Sequence, residues 1–175
     1  MRTDLLPSFK YLGECFQVRR GVLIWRTRPA HHFSSAAVCS AVNTQRAGKA
    51  AGVVGKDGYI LVRVKGRLIT AHGIVWALAK GAWPVAELDH RDLNRANNRL
   101  SNLREAVRTQ NMANRPAHKD NLLGVKGVTR LGESRYRARL YAYGVAKHLG
   151  VFASVAAAQA AYLAAARQAK GVFAR

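Results

Sequence analysis

The stretch ELDHRDLNRANNRLSNLREAVRTQNMAN, Glu87 to Asn114, restricts the fold of this chain more than any other. It carries Asn94, Asn97, Asn98, Asn102, Asn111 and Asn114. An Asn amide competes with the backbone for hydrogen bonds, so Asn is a poor interior residue for helices and strands alike. A long regular element cannot run through such a segment, and only short pieces fit. Leu88 leads a short strand into Asp89-His90, a polar loop follows, and "NLREAV" forms a second short strand. Thr109 can then cap a helix starting at Gln110. The expected order is strand, loop, strand, helix. Taken singly, Asn97, Asn98 and Asn102 are turn formers that shape a polar loop. Taken together with Asp89 and His90, the same asparagines suit a metal site.

Hydrolysis of a phosphodiester needs a base to activate water, a cation to offset the developing charge, and a grip on the phosphate. Mg²⁺ takes oxygen ligands and keeps several waters, so one carboxylate and one amide carbonyl suffice from the protein. Histidine is the usual base near neutral pH. On a strand, Asp89 and His90 point to opposite faces and can serve different partners. Asn102 lies twelve residues beyond His90 and Asn111 twenty-one. That spacing has Asn102 open the second strand and puts Asn111 on the helix, able to close over a metal.

Charge narrows the partner. Twenty-nine Lys and Arg face nine Asp and Glu, and the excess is spread along the whole chain. A globular protein so basic calls for a polyanion, with nucleic acid first. An anionic membrane surface would want a basic amphipathic helix with bulky apolar residues opposite the charge; the sequence has none. Nor does an apolar run approach the roughly eighteen residues of a membrane span. The start, "MRTDLLPSFKYLGECF", has no long apolar stretch behind a basic residue, so no signal peptide is expected and the cytoplasm is the expected location. Two cysteines, Cys15 and Cys39, without a Cys-x-x-Cys, argue against a zinc knuckle or a disulfide framework and fit packed or idle thiols.

The rest of the 175 residues supplies one ordinary domain or two small ones. "CFQV" and "VLIWR" flank Arg20-Gly21 as a hairpin within residues 11–28. "PAHHFSSAAVCSAVNTQRAGKAAG" shows little period and is expected to be a long loop. "YILVRV" and "RLITA" around Lys65-Gly66 form a second hairpin. "AHGIVWALAKG" has Ile74, Val75 and Leu78 at helical spacing and stops at Gly81, with His72 just ahead of the helix. Residues 116–123, with Pro116, look like a linker ahead of Gly124. "VKGVTR", "SRYRARLYAYG" and "AKHLGVF" are three strand-like runs. Alternation puts Arg135, Arg137, Arg139 and Tyr141 on one face and Tyr136, Ala138, Leu140 and Ala142 on the other. An Ala-rich helix follows, capped by Ser154 and ended by Gly171.

The motifs "LDH", "NN", "SNLR" and "QNMAN", in this order and spacing, resemble HNH endonucleases of the phage and intron-encoded homing type. "GVLIWRTRP", "NTQRAGKAAG", "GYILVRVKG" and "AHGIVWALAKGAWP" extend the resemblance upstream. The resemblance implies a ββα-metal fold. By it Asp89 and Asn111 are metal ligands, His90 is the general base, and Asn102 holds His90 and the loop. His72 and Asn98 are supporting residues. An Asn rather than a His in the last metal position favours Mg²⁺ or Mn²⁺ over Zn²⁺. Arg91, Arg95, Arg99 and Arg104 are expected to grip the DNA backbone. The family often has Gly in the loop after Asp-His, where this chain reads "DHRDLNRANN", and usually has Arg where Gly73 follows "AH". His31, His32, His118 and His148 are expected to be surface or packing residues.

"GVKGVTR", "RYRARL", "HLGVF" and "AAAQAAYLAAARQAKGVFA" resemble the AP-two, or ethylene-response-factor, type of DNA-binding domain over residues 124–175. That resemblance implies that Arg130, Arg135, Arg137, Arg139 and Tyr141 face the DNA major groove, with Lys147 in place of a Lys that the family carries after its turn Gly. A solubilising basic face is the plainer alternative. The expected class is therefore α+β: a ββα-metal core plus a small three-stranded antiparallel sheet with one packed helix. The expected division is an N-terminal extension over 1–50, a nuclease domain over 51–115, a linker over 116–123 and a DNA-binding domain over 124–175. The function expected is a metal-dependent endonuclease on double-stranded DNA, a monomer or weak dimer. If phage-encoded, it works in the host cytoplasm. A catalytically inactive DNA-binding regulator, a nickase and a nucleic-acid packaging protein are the alternatives.

Overall fold

The computed structural model describes residues 6–115, 117–118 and 120–174. Met1–Leu5, Arg175, and Pro116 and Lys119 of the expected linker lie outside the described residues. The chain mixes helices with small antiparallel sheets, an α+β composition. It divides into two compact units, Met1–Ala106 and Val107–Arg175.

In the first unit, α1 (Phe9–Cys15) leads directly into β1 (Phe16–Arg19), which pairs with β2 (Val22–Trp25). Arg20 and Gly21 both take left-handed backbone, at φ 49° and 84°, as the tight hairpin turn requires. The sequence reading found this hairpin but not α1. Seven residues capped by the Ser8 side chain, which accepts from Tyr11 N–H at 3.3 Å, are too few to show a period.

The expected long loop is corrected: α2 (Ala36–Arg46) occupies its centre. This helix buries none of its residues, so it has no apolar stripe to read. Polar contacts hold it instead. Ser35 Oγ accepts from Val38 N–H at 3.2 Å. Asn43 clamps the Arg28 backbone on both sides, accepting from its N–H and donating to its carbonyl, each at 2.9 Å. The chain then returns along β2, with Trp25 N–H donating to Lys49 O and Ala51 N–H to Leu23 O.

A three-stranded sheet follows: β3 (Val53–Val54), β4 (Ile60–Val64) and β5 (Arg67–Thr70), in that order. α3 (Ala71–Lys80) starts at once and ends at Gly81 in left-handed backbone. His72 is thus the second residue of this helix rather than a residue ahead of it. Ile74, Val75 and Ala77 are buried with Leu12, Phe16, Leu23, Val62 and Leu103 in one core. Full burial of side chains such as Leu, Ile or Phe contributes roughly 1.5–3 kcal/mol each. Residues before position 50 therefore share their core with α3 and β4. Last come β6 (Glu87–His90) and β7 (Leu103–Ala106), antiparallel, with Asp89 opposite Arg104 and His90 opposite Leu103.

The second unit opens with α4 (Arg108–Asn114). Its cap is at Val107, not Thr109: Gln110 Oε1 accepts from Val107 N–H at 3.0 Å. Next are β8 (Val128–Gly132), β9 (Arg135–Ala142) and β10 (Val145–Phe152), a sheet with β9 central. α5 (Val155–Lys170) is capped by Ser154, whose Oγ accepts from Ala157 N–H at 3.2 Å. Ala158, Tyr162 and Ala166, four residues apart, are its buried line against Ala138 and Leu140. Small residues let this helix lie close to the sheet. At Gly127 a Cβ would come within 2.4 Å of both Arg139 O and the Tyr162 ring.

The first hairpin also presses on the loop between β6 and β7. A Cβ at Gly21 would stand 2.4 Å from Arg99 N and 2.6 Å from Asn98 C, both backbone atoms that cannot swing aside. Gly21→Ala is expected to destabilise the first unit by about 2–4 kcal/mol, from left-handed strain plus the clash. All three tryptophans, Trp25, Trp76 and Trp83, lie in this unit, so urea denaturation followed by tryptophan fluorescence reads it selectively. An unchanged midpoint would mean that the turn and the loop are not in contact.

Candidate functional site

β6 places Asp89 and His90 side by side in sequence and on opposite faces of a two-stranded ribbon. Both side chains are buried, Asp89 at 5% and His90 at 4% exposure. Burial of two ionisable groups side by side has to be balanced by partners.

Asp89 has Arg104. Directly opposite residues of an antiparallel pair share a face, and Arg104 Nε and Nη2 each donate to Asp89 Oδ2 at 2.8 Å. Arg104 was grouped in the sequence with the backbone-gripping arginines. Its guanidinium is instead buried and committed to Asp89, because the register turns it inward.

His90 has Asn98. With the amide oxygen of Asn98 facing the ring, His90 Nε2–H donates to it at 3.0 Å, in a buried contact. The sequence assigns Asn102 to hold His90 and the loop; the contact to His90 Nε2 is made by Asn98. Two more rings enclose the imidazole. His72 lies 5.1 Å away edge-on and Tyr59 5.8 Å away, and the Arg95 guanidinium covers Tyr59 at 4.9 Å. Arg95 is exposed and also donates to Asp57 O at 2.7 Å.

The loop from Arg91 to Asn102 accounts for the other asparagines. Asn102 Oδ1 accepts from Asp92 N–H at 3.1 Å. Its Nδ2 donates to Asp92 Oδ1 and to Asn97 O, each at 2.8 Å. Asn97 Nδ2 donates to Asp92 Oδ2 at 2.7 Å, and Asn94 N–H to Asp92 Oδ1 at 2.9 Å. Partial burial would raise the Asp92 pKa, but the hydrogen bonds from Asn97, Asn102 and the Asn94 backbone outweigh it and hold the carboxyl below its usual range. Asn102 therefore closes the loop, on the 3-10 turn Leu100–Asn102 just before β7. Arg91 and Arg99 are exposed on this loop. Asn111 stands on α4 of the second unit.

Gly73, where the resemblance led one to expect Arg, is buried in α3; a Cβ there would meet Thr70 Oγ1 at 3.2 Å and Trp83 at 3.6 Å. The missing loop glycine has a visible consequence too. Leu93 takes left-handed backbone, φ 68°, in the turn that Leu93 N–H closes on His90 O.

In the second unit, alternation along β9 holds. Ala138 and Leu140 are buried, while Arg135, Arg139 and Tyr141 are exposed. Arg137 is half-buried, and its Nε has no hydrogen-bond partner among the described residues. Arg130, on β8, is exposed, with its Nε donating to Gly132 O at 3.2 Å.

Residues 70–113 match the family model described as HNH endonuclease. The match runs from the residue before α3 into α4 and takes in His72, Asp89, His90, Asn98, Asn102 and Asn111. It supports nuclease chemistry for this segment. A search of curated proteins finds no match, and a search of solved structures finds none either. Among the described residues no helix is long and apolar enough to cross a membrane.

Two outcomes follow for stability. Burial penalises charge on His72, and repulsion from His90 adds to it, so the His72 pKa falls from 6.5 to about 4. Between those values the unfolded chain binds a proton that the folded chain does not, so stability falls as pH drops through that window. Relative to His72→Phe, the wild type should lose about 3 kcal/mol between pH 6.5 and pH 4. Denaturation at both pH values checks this, and parallel losses in the two proteins would refute it. Separately, Leu93→Gly should stabilise the first unit by about 1 kcal/mol by relieving the left-handed strain; a lower urea midpoint would show that the turn is unstrained.

Proposed function

We propose that this chain is a divalent-metal-dependent DNA endonuclease, with residues 70–113 as its catalytic segment and the β9 face as its DNA-binding surface. One observation carries the reading: a buried histidine, His90, has its Nε2 held 3.0 Å from Asn98 Oδ1, next in sequence to a buried carboxylate, Asp89. His90 takes a proton from water as the general base. Asn98 holds the ring against rotation and stabilises the imidazolium that forms by accepting from Nε2–H. His72, kept neutral by burial, adds no competing positive charge next to that imidazolium.

The donors fit a hard cation. Asp89 is a buried carboxylate with one oxygen already held by Arg104, and such an oxygen ligand suits Mg²⁺ or Mn²⁺. When bound, such an ion would neutralise charge developing on the phosphate and leaving oxygen. Asp89 would hold it. Asn111, the second ligand of the sequence reading, is proposed on the sequence alone. Arg104 keeps the Asp89 carboxyl oriented. Arg91, Arg95 and Arg99, all exposed on or beside the loop, are proposed to hold the DNA backbone.

The second unit is proposed to be AP-two-like and to bind double-stranded DNA through Arg130, Arg135, Arg137, Arg139 and Tyr141. Each phosphate neutralised should steepen the log–log fall of affinity with salt by about 0.9. A homing role, phage origin, cytoplasmic setting and monomeric or weakly dimeric state go with this reading as proposals.

Supercoiled plasmid tests it. Mg²⁺-dependent conversion to nicked or linear DNA is expected, blocked by EDTA. His90→Ala should lower the rate by about 10²–10⁴-fold, as for loss of a general base, with DNA affinity unchanged. Nicked product alone would identify a nickase. No conversion by a wild type that binds tightly would make the protein a DNA-binding regulator, and the catalytic reading would be withdrawn.

A further inference from the structure

We propose that Glu14, His31 and His32 form a binding site for a divalent transition-metal cation, Zn²⁺ in the first instance, separate from the catalytic segment. The three side chains come from two places in the fold. Glu14 is in the last turn of α1, and His31 and His32 lie in the 3-10 turn Ala30–His32 that follows β2. Their ligand atoms all lie within 4.8 Å of one another. Glu14 Oε2 is 2.7 Å from His32 Nε2 and 3.4 Å from His31 Nε2. Two imidazole nitrogens thus converge on one carboxylate oxygen, with the rings nearly perpendicular at 88°.

The donor set names the class of ion. Two neutral imidazoles and one carboxylate suit a borderline cation such as Zn²⁺, and three protein ligands leave a fourth position for water. Bonds of about 2.0–2.2 Å put tetrahedral ligand atoms roughly 3.3 Å apart. The Glu14–His31 spacing already meets that, and the Glu14–His32 spacing needs a slight opening. Glu14 can give way, being one-quarter exposed, and exposed His31 leaves room for solvent.

His32 is oriented as a ligand would be. Its side chain is 2% exposed, stacked on Tyr11 with centroids 4.3 Å apart, and its Nδ1 is 3.7 Å from Cys15 Sγ. The contact at Nδ1 fixes the ring and directs Nε2 toward Glu14, the kind of outer support that metal-binding histidines use. The local charge also argues for a purpose. Glu14 is the sole acidic residue between positions 5 and 56, a stretch rich in Arg and Lys. Its ion-pair contacts among the described residues are nevertheless with these two histidines. A bound cation would fasten the 3-10 turn to α1 and close the intervening hairpin.

The test is calorimetric titration of the full chain with Zn²⁺ in a large excess of Mg²⁺, so that sites built from oxygen ligands are occupied by Mg²⁺. One Zn²⁺ should bind the wild type. His31→Ala and Glu14→Gln should each weaken it at least about tenfold, given that even outer-shell changes cost that much. His31 is largely exposed, so its replacement leaves the core intact. Imidazole ¹⁵N resonances of His31 and His32 should shift on Zn²⁺ addition. Absence of Zn²⁺ binding, or wild-type binding by His31→Ala, would overturn the site, and neither result depends on DNA cleavage.

Discussion

Asn102 closes the loop between β6 and β7, and the geometry around His90 depends on that closure. One amide satisfies three groups at once: the Asp92 N–H, the Asp92 carboxylate and the Asn97 carbonyl. Twelve residues between two four-residue strands would otherwise be a costly loop to order. With the loop folded onto Asp92, Asn98 comes within hydrogen-bond distance of His90 Nε2. Asn102 therefore acts on the histidine through the loop, and Asn98 makes the contact. The first hairpin braces the outer side, where Gly21 brings its backbone against Asn98 and Arg99. This gives the N-terminal residues a mechanical part in the site, beyond their share of the core.

The ion pair of Asp89 with Arg104 solves a second problem. A carboxylate at 5% exposure without a partner would be expensive. The antiparallel register supplies the partner from directly across the ribbon. Because both guanidinium contacts fall on Oδ2, the pair orients the carboxylate as well as balancing it. A buried pair of this kind adds little net stability, since desolvation offsets most of the attraction. Its effect here is to hold the carboxyl in one orientation inside the ribbon. In a chain with twenty-nine basic residues, an arginine is also the partner most readily at hand.

What could be read from sequence divides by the kind of force involved. The hairpins at Arg20-Gly21 and Lys65-Gly66, α3 with its Gly81 stop, the β9 alternation and the Ser154 cap were all legible, because turn chemistry and burial period write them into adjacent residues. α2 was not, because an exposed helix held by Ser35 and the Asn43 clamp leaves no apolar period. The pairing of the candidate site residues was not legible in the sequence. Asp89 and His90 stood out, but whether Asn98 or Asn102 meets the ring depends on how a twelve-residue loop folds. Arg104 looked like the three exposed arginines Arg91, Arg95 and Arg99 until the register turned it inward. One signal was available: alternation puts Arg104 on the same face as the apolar Ala106, though it does not say which partner it would find.

The histidines show the same limit from the other side. His31 and His32 have no spacing that announces a ligand, and Glu14 lies seventeen and eighteen residues away in a helix too short to read. Only the return of the chain after β2 brings them together. Contact between distant residues is also what separates the two donor sets chemically. Asp89 is paired with a guanidinium and is proposed to hold an ion that keeps its own waters and oxygen ligands. Glu14 is paired with two imidazoles, which favours an ion that accepts nitrogen. Two carboxylates in one small unit thus have distinct surroundings because the fold gives each different neighbours.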